Sequence, residues 1–90
     1  MLKINNSGQF KRDFKRCQKQ GLDMGLLKAV IMDLAKPVEL PEKNKDHKLS
    51  GNFGGYRECH ILPDWLLIYY VEDEELYLVR TGSHSELFGK

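Results

Sequence analysis

The chain has 90 residues and a formal net charge of +1, which suits one domain with a single modest core. No segment approaches the roughly 20 apolar residues of a membrane span, and the N-terminus lacks the apolar run of a signal peptide. We therefore expect one domain over residues 1–90, in the cytoplasm and without a membrane partner. Cys17 and Cys59 belong to no ligand-spacing motif, so both are expected to be reduced and buried.

The N-terminal third predicts a strand followed by a helix. Residues 2–5 have the pattern of a short strand, and Asn6 or Ser7 can cap the helix that follows. Gly21 ends this helix. Its apolar residues recur at helical spacing at Phe10, Phe14 and Cys17.

A second helix is predicted between Asp23, which can cap it, and Pro37, which stops it. Its apolar stripe consists of Met24, Leu27, Val30, Ile31 and Leu34. A long connection over residues 37–55 follows, and connections of this length are often functional.

Three strands complete the pattern, over residues 56–61, 65–71 and 75–80. The turns between them are short, which forces antiparallel pairing. The fold class is therefore α+β, with a two-helix hairpin packed on a small, mainly antiparallel four-stranded sheet.

Charge is distributed unevenly along the chain. Residues 1–20 carry six Lys or Arg against Asp13 alone, whereas residues 51–90 carry three against seven carboxylates. A basic helix is usually a solvated face, but it can also contact a phosphate backbone. The candidates for such a contact are Lys11, Arg12, Lys15 and Arg16.

The residues suited to proton transfer are concentrated in the second half, which contains all three histidines, His47, His60 and His84, together with Asp64 and Arg80. RNA can be cut without a metal when its 2′-hydroxyl attacks the adjacent phosphate. That reaction needs a base, an acid and a cation for the phosphate. Histidine supplies either proton transfer near neutral pH, and arginine binds two phosphate oxygens. This inventory favours a ribonuclease.

Each residue also has a structural interpretation. His60 could be a hydrogen-bonded surface residue, and Arg80 could form an ion pair with Asp64 or Glu58. Trp65 and Phe88 could stack on a base, although Trp65 also suits the core. The histidines and Asp64 could ligate zinc, but their spacing lacks the close pairs typical of metal sites, so no metal and no cofactor are expected. Strand alternation places Tyr56, Glu58 and His60 on one face and Arg57 on the other.

Three segments make a more specific pattern: Lys-Asp-His-Lys-Leu-Ser-Gly from residue 45, Gly-Tyr-Arg-Glu-Cys-His-Ile-Leu-Pro-Asp-Trp-Leu-Leu-Ile-Tyr from residue 55, and Arg-Thr-Gly-Ser-His-Ser-Glu-Leu-Phe from residue 80. They resemble the YafQ branch of the RelE/ParE toxin superfamily, and the order of elements also fits. The resemblance implies a RelE-like fold. It also implies the toxin of a bacterial type II toxin–antitoxin system, an mRNA endoribonuclease that inhibits translation on the ribosome. The implied partners are mRNA, the ribosome and a DinJ/RelB-like antitoxin of the ribbon–helix–helix type.

The resemblance carries the family's functional positions over to His47, His60, Asp64, Trp65, Arg80, His84 and Phe88. Our hypothesis for their roles is that His84 is the general acid, that His47 or His60 takes the 2′-hydroxyl proton, and that Asp64 orients a histidine or shares in the transfer. Arg80 is expected to bind the scissile phosphate, and the aromatic residues to bind a base. Two other functions remain open: a non-catalytic module that binds RNA or protein, and a ParE-like inhibitor of gyrase.

Overall fold

The computed structural model describes residues 1–36, 44–49 and 54–89. The elements in chain order are β1 (Lys3–Asn6), α1 (Gly8–Lys19), α2 (Met24–Ala35), β2 (His47–Lys48), β3 (Arg57–Leu62), β4 (Trp65–Glu72), β5 (Glu75–Gly82) and α3 (His84–Phe88). The predicted α+β class is confirmed. No helix in these ranges is long and apolar enough to cross a membrane.

The sheet has five strands among the described residues, in the order β1-β5-β4-β3-β2. β1 pairs with β5 in parallel, and the other pairs are antiparallel. The prediction had four strands because β2 has only two residues and lies inside the expected connection over residues 37–55. Residues 37–43 and 50–53 of that connection lie outside the described part of the chain.

The predicted helix caps are confirmed. The Ser7 side chain accepts a hydrogen bond from the Phe10 amide, and the Asp23 side chain accepts one from the Gly25 amide. The α1 helix ends just before Gly21, whose φ of 78° is readily adopted by glycine. The α2 helix ends at Ala35, while Pro37, the predicted stop, lies outside the described residues.

The sheet has two unlike faces. The α1 and α2 helices cover one face, where their buried residues and alternate strand positions form the main core. Cys17 and Cys59 belong to this core and are unpaired, as predicted. A smaller cluster on the opposite face contains Leu66, Ile68 and Leu87. We call this second side the open face.

The α1 helix is fastened to β5 where that strand extends past its partner β1. The β1 strand pairs only with residues 75–78 of β5. Beyond that point, the Asp13 carboxylate accepts from the Thr81 amide at 3.2 Å, and the Arg16 guanidinium donates to the Thr81 carbonyl at 2.7 Å. Side chains of α1 therefore satisfy backbone groups at an edge that would otherwise need another strand.

Candidate active site

The pairing of residues across neighbouring strands places the candidate site on the open face. His47 pairs with Glu58, Glu58 with Ile68, and Ile68 with Arg80, so these four residues form one row across four strands. Directly paired residues project from the same face of a sheet. His60 belongs to the neighbouring row. The α3 helix begins shortly after β5 and adds His84 beside it.

The three imidazole rings are neighbours, with His60 between the other two, and we call this arrangement the histidine line. The ring centroids of His47 and His60 are 6.4 Å apart, and those of His60 and His84 are 5.7 Å apart. Each outer histidine contacts a carboxylate: His47 with Glu58 at 2.8 Å and His84 with Asp64 at 2.6 Å. The structure thus brings together the three predicted histidines and Asp64, which come from four separate elements or turns.

Asp64 lies in the turn between β3 and β4 and holds the start of α3. One of its oxygens, Oδ1, accepts from both the His84 amide at 2.9 Å and the ring Nδ1 of His84 at 2.6 Å. The backbone hydrogen bond, followed by the bond from the ring, lowers the pKa of Asp64. Asp64 is therefore ionised at neutral pH, which fixes a proton on Nδ1 of His84 and leaves Nε2 available for chemistry.

His47 is held between two hydrogen-bond acceptors. Its Nδ1 lies 2.6 Å from the Lys45 carbonyl oxygen, and its Nε2 lies 2.8 Å from Oε2 of Glu58. A carbonyl cannot donate, so the ring contributes the proton on Nδ1. The contact with Glu58 needs a further proton, carried by either the ring or the carboxylate. With Glu58 ionised, His47 is an imidazolium.

Glu58 is a member of the candidate site that sequence reasoning missed. Its side chain is only 7% exposed, and its second oxygen, Oε1, is buried with no hydrogen-bond partner among the described residues. A buried carboxylate oxygen without a donor is unusual, so this position needs an explanation. The signal was present in the sequence, because strand alternation already placed Glu58 on the same face as His60.

The segment that carries His47 is anchored on both sides. The buried Asn44 side chain donates to the His60 carbonyl at 2.6 Å. The Asp46 carboxylate accepts from the Tyr69 hydroxyl at 2.7 Å and from Nε of Arg57 at 3.2 Å. Arg57 thus acts away from the histidine line, in agreement with its predicted face. These bonds fix the backbone immediately before His47.

Arg80, which was predicted to bind a phosphate, forms an ion pair with a carboxylate in the structure. Its Nε and Nη2 donate to the two carboxylate oxygens of Asp13 at 3.0 and 3.1 Å. Burial raises the pKa of Asp13, but bonds from Arg80, Gln9 and the Thr81 amide outweigh this effect, so the pKa is lowered overall. The sequence analysis also missed the role of Asp13. It is the one acidic residue of α1 and lies between Phe10 and Phe14 on the apolar stripe of that helix, and this unusual position could have indicated a buried, paired carboxylate.

Two of the predicted substrate contacts have partners within the protein. Trp65 is 2% exposed in the main core and donates from its ring nitrogen to the Thr81 hydroxyl at 3.0 Å, so it cannot present a face to a base. Arg16 is paired with Asp13 at 2.8 Å and with Glu86 at 3.0 Å. In contrast, Phe88 lies beside His84 with ring centroids 6.4 Å apart. The remaining basic candidates, Lys11, Arg12 and Lys15, are exposed.

One group within the site has the composition of a metal site. Ligand atoms of Glu58, His60 and His84 all lie within 4.8 Å of one another. One carboxylate and two imidazoles suit zinc or copper, and the buried Glu58 oxygen lacks a donor, so the residues fit such an ion. The same side chains could therefore either hold a metal or transfer protons.

Comparison with known proteins matches this architecture over almost the whole chain. The family model described as "Bacterial toxin of type II toxin-antitoxin system, YafQ" matches residues 2–89. The Escherichia coli K12 protein named mRNA interferase toxin YafQ is 45% identical over 87 residues, covering 96% of this chain and 95% of that protein.

Solved structures show the same fold. YafQ in the E. coli DinJ–YafQ complex is 43% identical, covers 99% of this chain and 100% of its own, and has a TM-score of 0.90. A metal-bound toxin from Helicobacter pylori is 47% identical, covers 98% of this chain and 100% of its own, and has a TM-score of 0.91. This chain belongs to the YafQ family of bacterial type II toxin–antitoxin toxins.

Proposed function

We propose that this protein is an mRNA endoribonuclease that cleaves ribosome-bound mRNA in the cytoplasm and is neutralised by a DinJ-like antitoxin. The observation that carries the proposal is the line of three imidazoles on the open face, with a carboxylate at each end. The E. coli relative is named an mRNA interferase, and another structure shows a DinJ–YafQ complex. Both support the same activity and partner here.

The reaction needs two proton transfers on opposite sides of one phosphate. The 2′-oxygen forms a bond to phosphorus, the bond from phosphorus to the 5′-oxygen breaks, and a 2′,3′-cyclic phosphate results. A base takes the 2′-hydroxyl proton, and an acid gives a proton to the departing 5′-oxygen. Each well-positioned transfer accelerates the reaction by about 10²–10⁴-fold. Neighbouring rings about 6 Å apart can reach both sides of such a phosphate.

His84 is the acid in this scheme. The ionised Asp64 accepts the proton on Nδ1 and stabilises the positive charge that His84 carries when Nε2 is also protonated. Nε2 can then protonate the 5′-oxygen. Phe88, adjacent on α3, supplies a ring on which the neighbouring base stacks.

His60 is the base, and His47 supplies positive charge. His47 is held by Lys45 and Glu58 with a proton on each nitrogen when Glu58 is ionised, so it suits charge stabilisation on the phosphate oxygens. His60, between the two carboxylate-bound histidines, is left to accept the 2′-hydroxyl proton.

Arg80 keeps a supporting role as a phosphate ligand. Two of its three nitrogens are bound to Asp13, which fixes the guanidinium and leaves Nη1 for one phosphate oxygen. Asp13 therefore acts as a positioning residue for Arg80. The exposed cations Lys11, Arg12 and Lys15 on α1 are proposed to bind the ribosomal RNA backbone.

Replacement of His84 by alanine tests this proposal. Induced His84→Ala protein is expected to fold, to bind the antitoxin, and to lose about 10²-fold or more of its cleavage activity. Primer extension on cellular mRNA after induction should show codon-phased cuts for the unmodified chain and none for the variant. Ser85→Ala, at the next exposed position, is the matched control and should cut normally.

The alternatives give different readouts. Intact transcripts accompanied by DNA damage would indicate action on gyrase. Bound but uncut RNA would indicate a non-catalytic module. Full growth arrest and normal cleavage by His84→Ala would remove His84 from the mechanism.

A further inference from the structure

The short α3 helix that carries His84 depends on neighbouring elements for its position. It has only five residues, and isolated helices of that length are not stable in water. Leu87 is its buried residue, and Asp64 binds both the amide and the ring of His84. A separate attachment joins the side chain of Glu86 to α1.

The two carboxylate oxygens of Glu86 have different partners. Oε1 accepts from the Ser83 amide at 2.8 Å and completes a capping box at the start of α3. Oε2 accepts from the side-chain amide of Gln20 at 2.8 Å and lies 3.0 Å from Nε of Arg16. One side chain therefore both closes the first turn of α3 and joins that turn to α1. We call the three residues Arg16, Gln20 and Glu86 the α1–α3 link.

Arg16 reaches α3 past the edge of β5 that β1 leaves unpaired. Its Nη1 donates to Asp13 at 2.8 Å and its Nη2 donates to the Thr81 carbonyl at 2.7 Å. Asp13 also accepts from two nitrogens of Arg80. The same buried carboxylate therefore anchors both the arginine of the proposed phosphate site and the arginine of the α1–α3 link.

The contact between Arg16 and Glu86 differs from an ordinary surface ion pair. Their side chains are 32% and 27% exposed, and each has two further hydrogen-bond partners. Exposed pairs contribute little to stability, partly because two flexible side chains must be ordered. Here the other bonds already order both side chains, so the contact between them can fix the position of α3 relative to α1.

Gly82 leaves the space that the α1–α3 link requires. A Cβ atom at this position would lie 2.5 Å from Nη2 of Arg16 and 3.1 Å from Oε1 of Glu86. A separation of 2.5 Å is too short for van der Waals contact, so a side chain here would displace the guanidinium. The sequence Gly-Ser-His at residues 82–84 thus combines room for Arg16, a helix cap and the histidine.

We propose that Arg16 and Glu86 are positioning residues for His84, and that the α1–α3 link fixes α3 so that Nε2 of His84 faces the departing 5′-oxygen. The inference rests on the proposed function, in which His84 is the general acid. Asp64 sets the tautomer of His84, whereas the α1–α3 link sets the position of its ring relative to Arg80. A misplacement of about 1 Å, caused by a change far from the reacting atoms, can slow a reaction by about 10²-fold.

Glu86→Gln separates the α1–α3 link from the helix cap. Its remaining oxygen can still accept from the Ser83 amide, but its amide nitrogen would then face Nε of Arg16, a donor against a donor. Cleavage of ribosome-bound mRNA should show kcat reduced about three- to tenfold, with KM changed by less than about twofold. Glu72→Gln removes the same charge at an exposed position of β4 and should change neither constant.

Amide hydrogen exchange shows whether the substitution acts on α3. The amides of Leu87 and Gly89 donate to the carbonyls of Ser83 and Ser85 at the two ends of this helix. In Glu86→Gln both amides should exchange about threefold faster or more, while the Leu67 amide in the central strand β4 keeps its rate. Equal acceleration at Leu67 would indicate general destabilisation and overturn the proposal. Unchanged exchange at Leu87 and Gly89 would also overturn it.

Gly82→Ala tests Arg16 without removal of its charge. The added methyl group should displace the guanidinium from Glu86, and so lower kcat and accelerate exchange in α3 by similar factors. Combination with Glu86→Gln should add little, because both changes break the same contact. Gly8→Ala, the control, adds a methyl group 3.7 Å from the Arg12 side chain and should leave kcat intact. Fully additive losses in the double variant would contradict a shared action.

The positioning role and the proposed function can fail separately. If the unmodified chain does not cut mRNA, the proposed function fails, while the exchange rates of Leu87 and Gly89 still report whether the α1–α3 link holds α3. If the unmodified chain cuts mRNA and Glu86→Gln leaves both kcat and exchange unchanged, only the positioning role is wrong.

Discussion

Asp13 shows how one residue joins the fold to the site. Its carboxylate is fully buried and receives hydrogen bonds from Gln9, Arg16, Arg80 and the Thr81 amide. A buried charge is tolerated only when it is paired and well solvated by donors, and removal of one partner leaves the others uncompensated. Asp13 therefore both fastens α1 to β5 and orients Arg80.

Replacement of Asp13 by asparagine should lower the free energy of unfolding by about 2–4 kcal/mol, because two arginines lose their counter-charge. Cleavage should also fall, because Arg80 loses its fixed orientation. Chemical denaturation and a ribosome-dependent cleavage assay measure the two effects. Asp33→Asn, at a half-buried position on α2, is the control and should change stability by less than about 1 kcal/mol. Unchanged stability in Asp13→Asn would contradict the role given to this carboxylate.

The same carboxylate predicts a pH dependence. Because its folded-state pKa is lowered, the unfolded chain binds more protons in acid, so stability rises with pH in that range. The contribution is fully present above the ordinary aspartate pKa of about 3.9 and is lost as pH falls through the folded value. Denaturation curves between pH 6 and pH 2 should show a smaller acid loss for Asp13→Asn than for the unmodified chain.

At the scale of elements, the features predicted most accurately from the sequence are those that depend on residues close together along the chain. The helix caps at Ser7 and Asp23 and the three long strands follow from side-chain chemistry and alternation. The β2 strand was missed because two residues carry no periodicity. The α3 helix was missed because it has five residues, although Ser83 and Glu86 form a capping box that signals a helix start.

The register between the strands could not be predicted from the sequence. The row His47–Glu58–Ile68–Arg80 depends on β2 pairing with β3, and nothing local fixes that pairing. Trp65 and Ile68 lie on opposite faces of β4 because side chains alternate along a strand. Trp65, which was expected near RNA, therefore lies in the core. The histidines were predicted together, while their carboxylate partner Glu58 was missed.

The segment that carries His47 depends on a hydroxyl from the opposite side of the sheet. Tyr69 donates to Asp46, and burial together with this bond raises the pKa of Tyr69, so the hydroxyl keeps its proton. Tyr69→Phe removes one hydrogen bond, which should cost about 1 kcal/mol of stability. Because the bond anchors the backbone next to His47, we also expect kcat to fall several-fold with little change in KM.

Tyr77→Phe is the matched control for that variant, since it removes a hydroxyl that makes only a long hydrogen bond, 3.4 Å, to Glu75. Its stability and kcat should match those of the unmodified chain. If both variants reduce kcat equally, or if Tyr69→Phe leaves kcat intact, the anchor is not what positions His47.

At the scale of the whole molecule, the proposed recognition surface and the proposed catalytic site occupy different sides. The histidines lie on the open face, whereas α1 presents Lys11, Arg12 and Lys15 to solvent on the helix side. Arg16 differs from these three residues because it is paired with Asp13 and Glu86. Surface charge on α1 can therefore be changed without disturbance of the site.

The proposed contact between α1 and ribosomal RNA should depend on charge in a measurable way. Arg12→Glu/Lys15→Glu should weaken binding to ribosomes, and each lost phosphate contact should lower the slope of log Kd against log salt by about 0.7–0.9. Lys28→Glu/Lys36→Glu makes the same charge change at exposed positions on and just after α2, and should leave that slope unchanged. If both pairs lower the slope equally, attraction depends on net charge alone. An unchanged slope in the α1 variant would mean that another surface faces the ribosome.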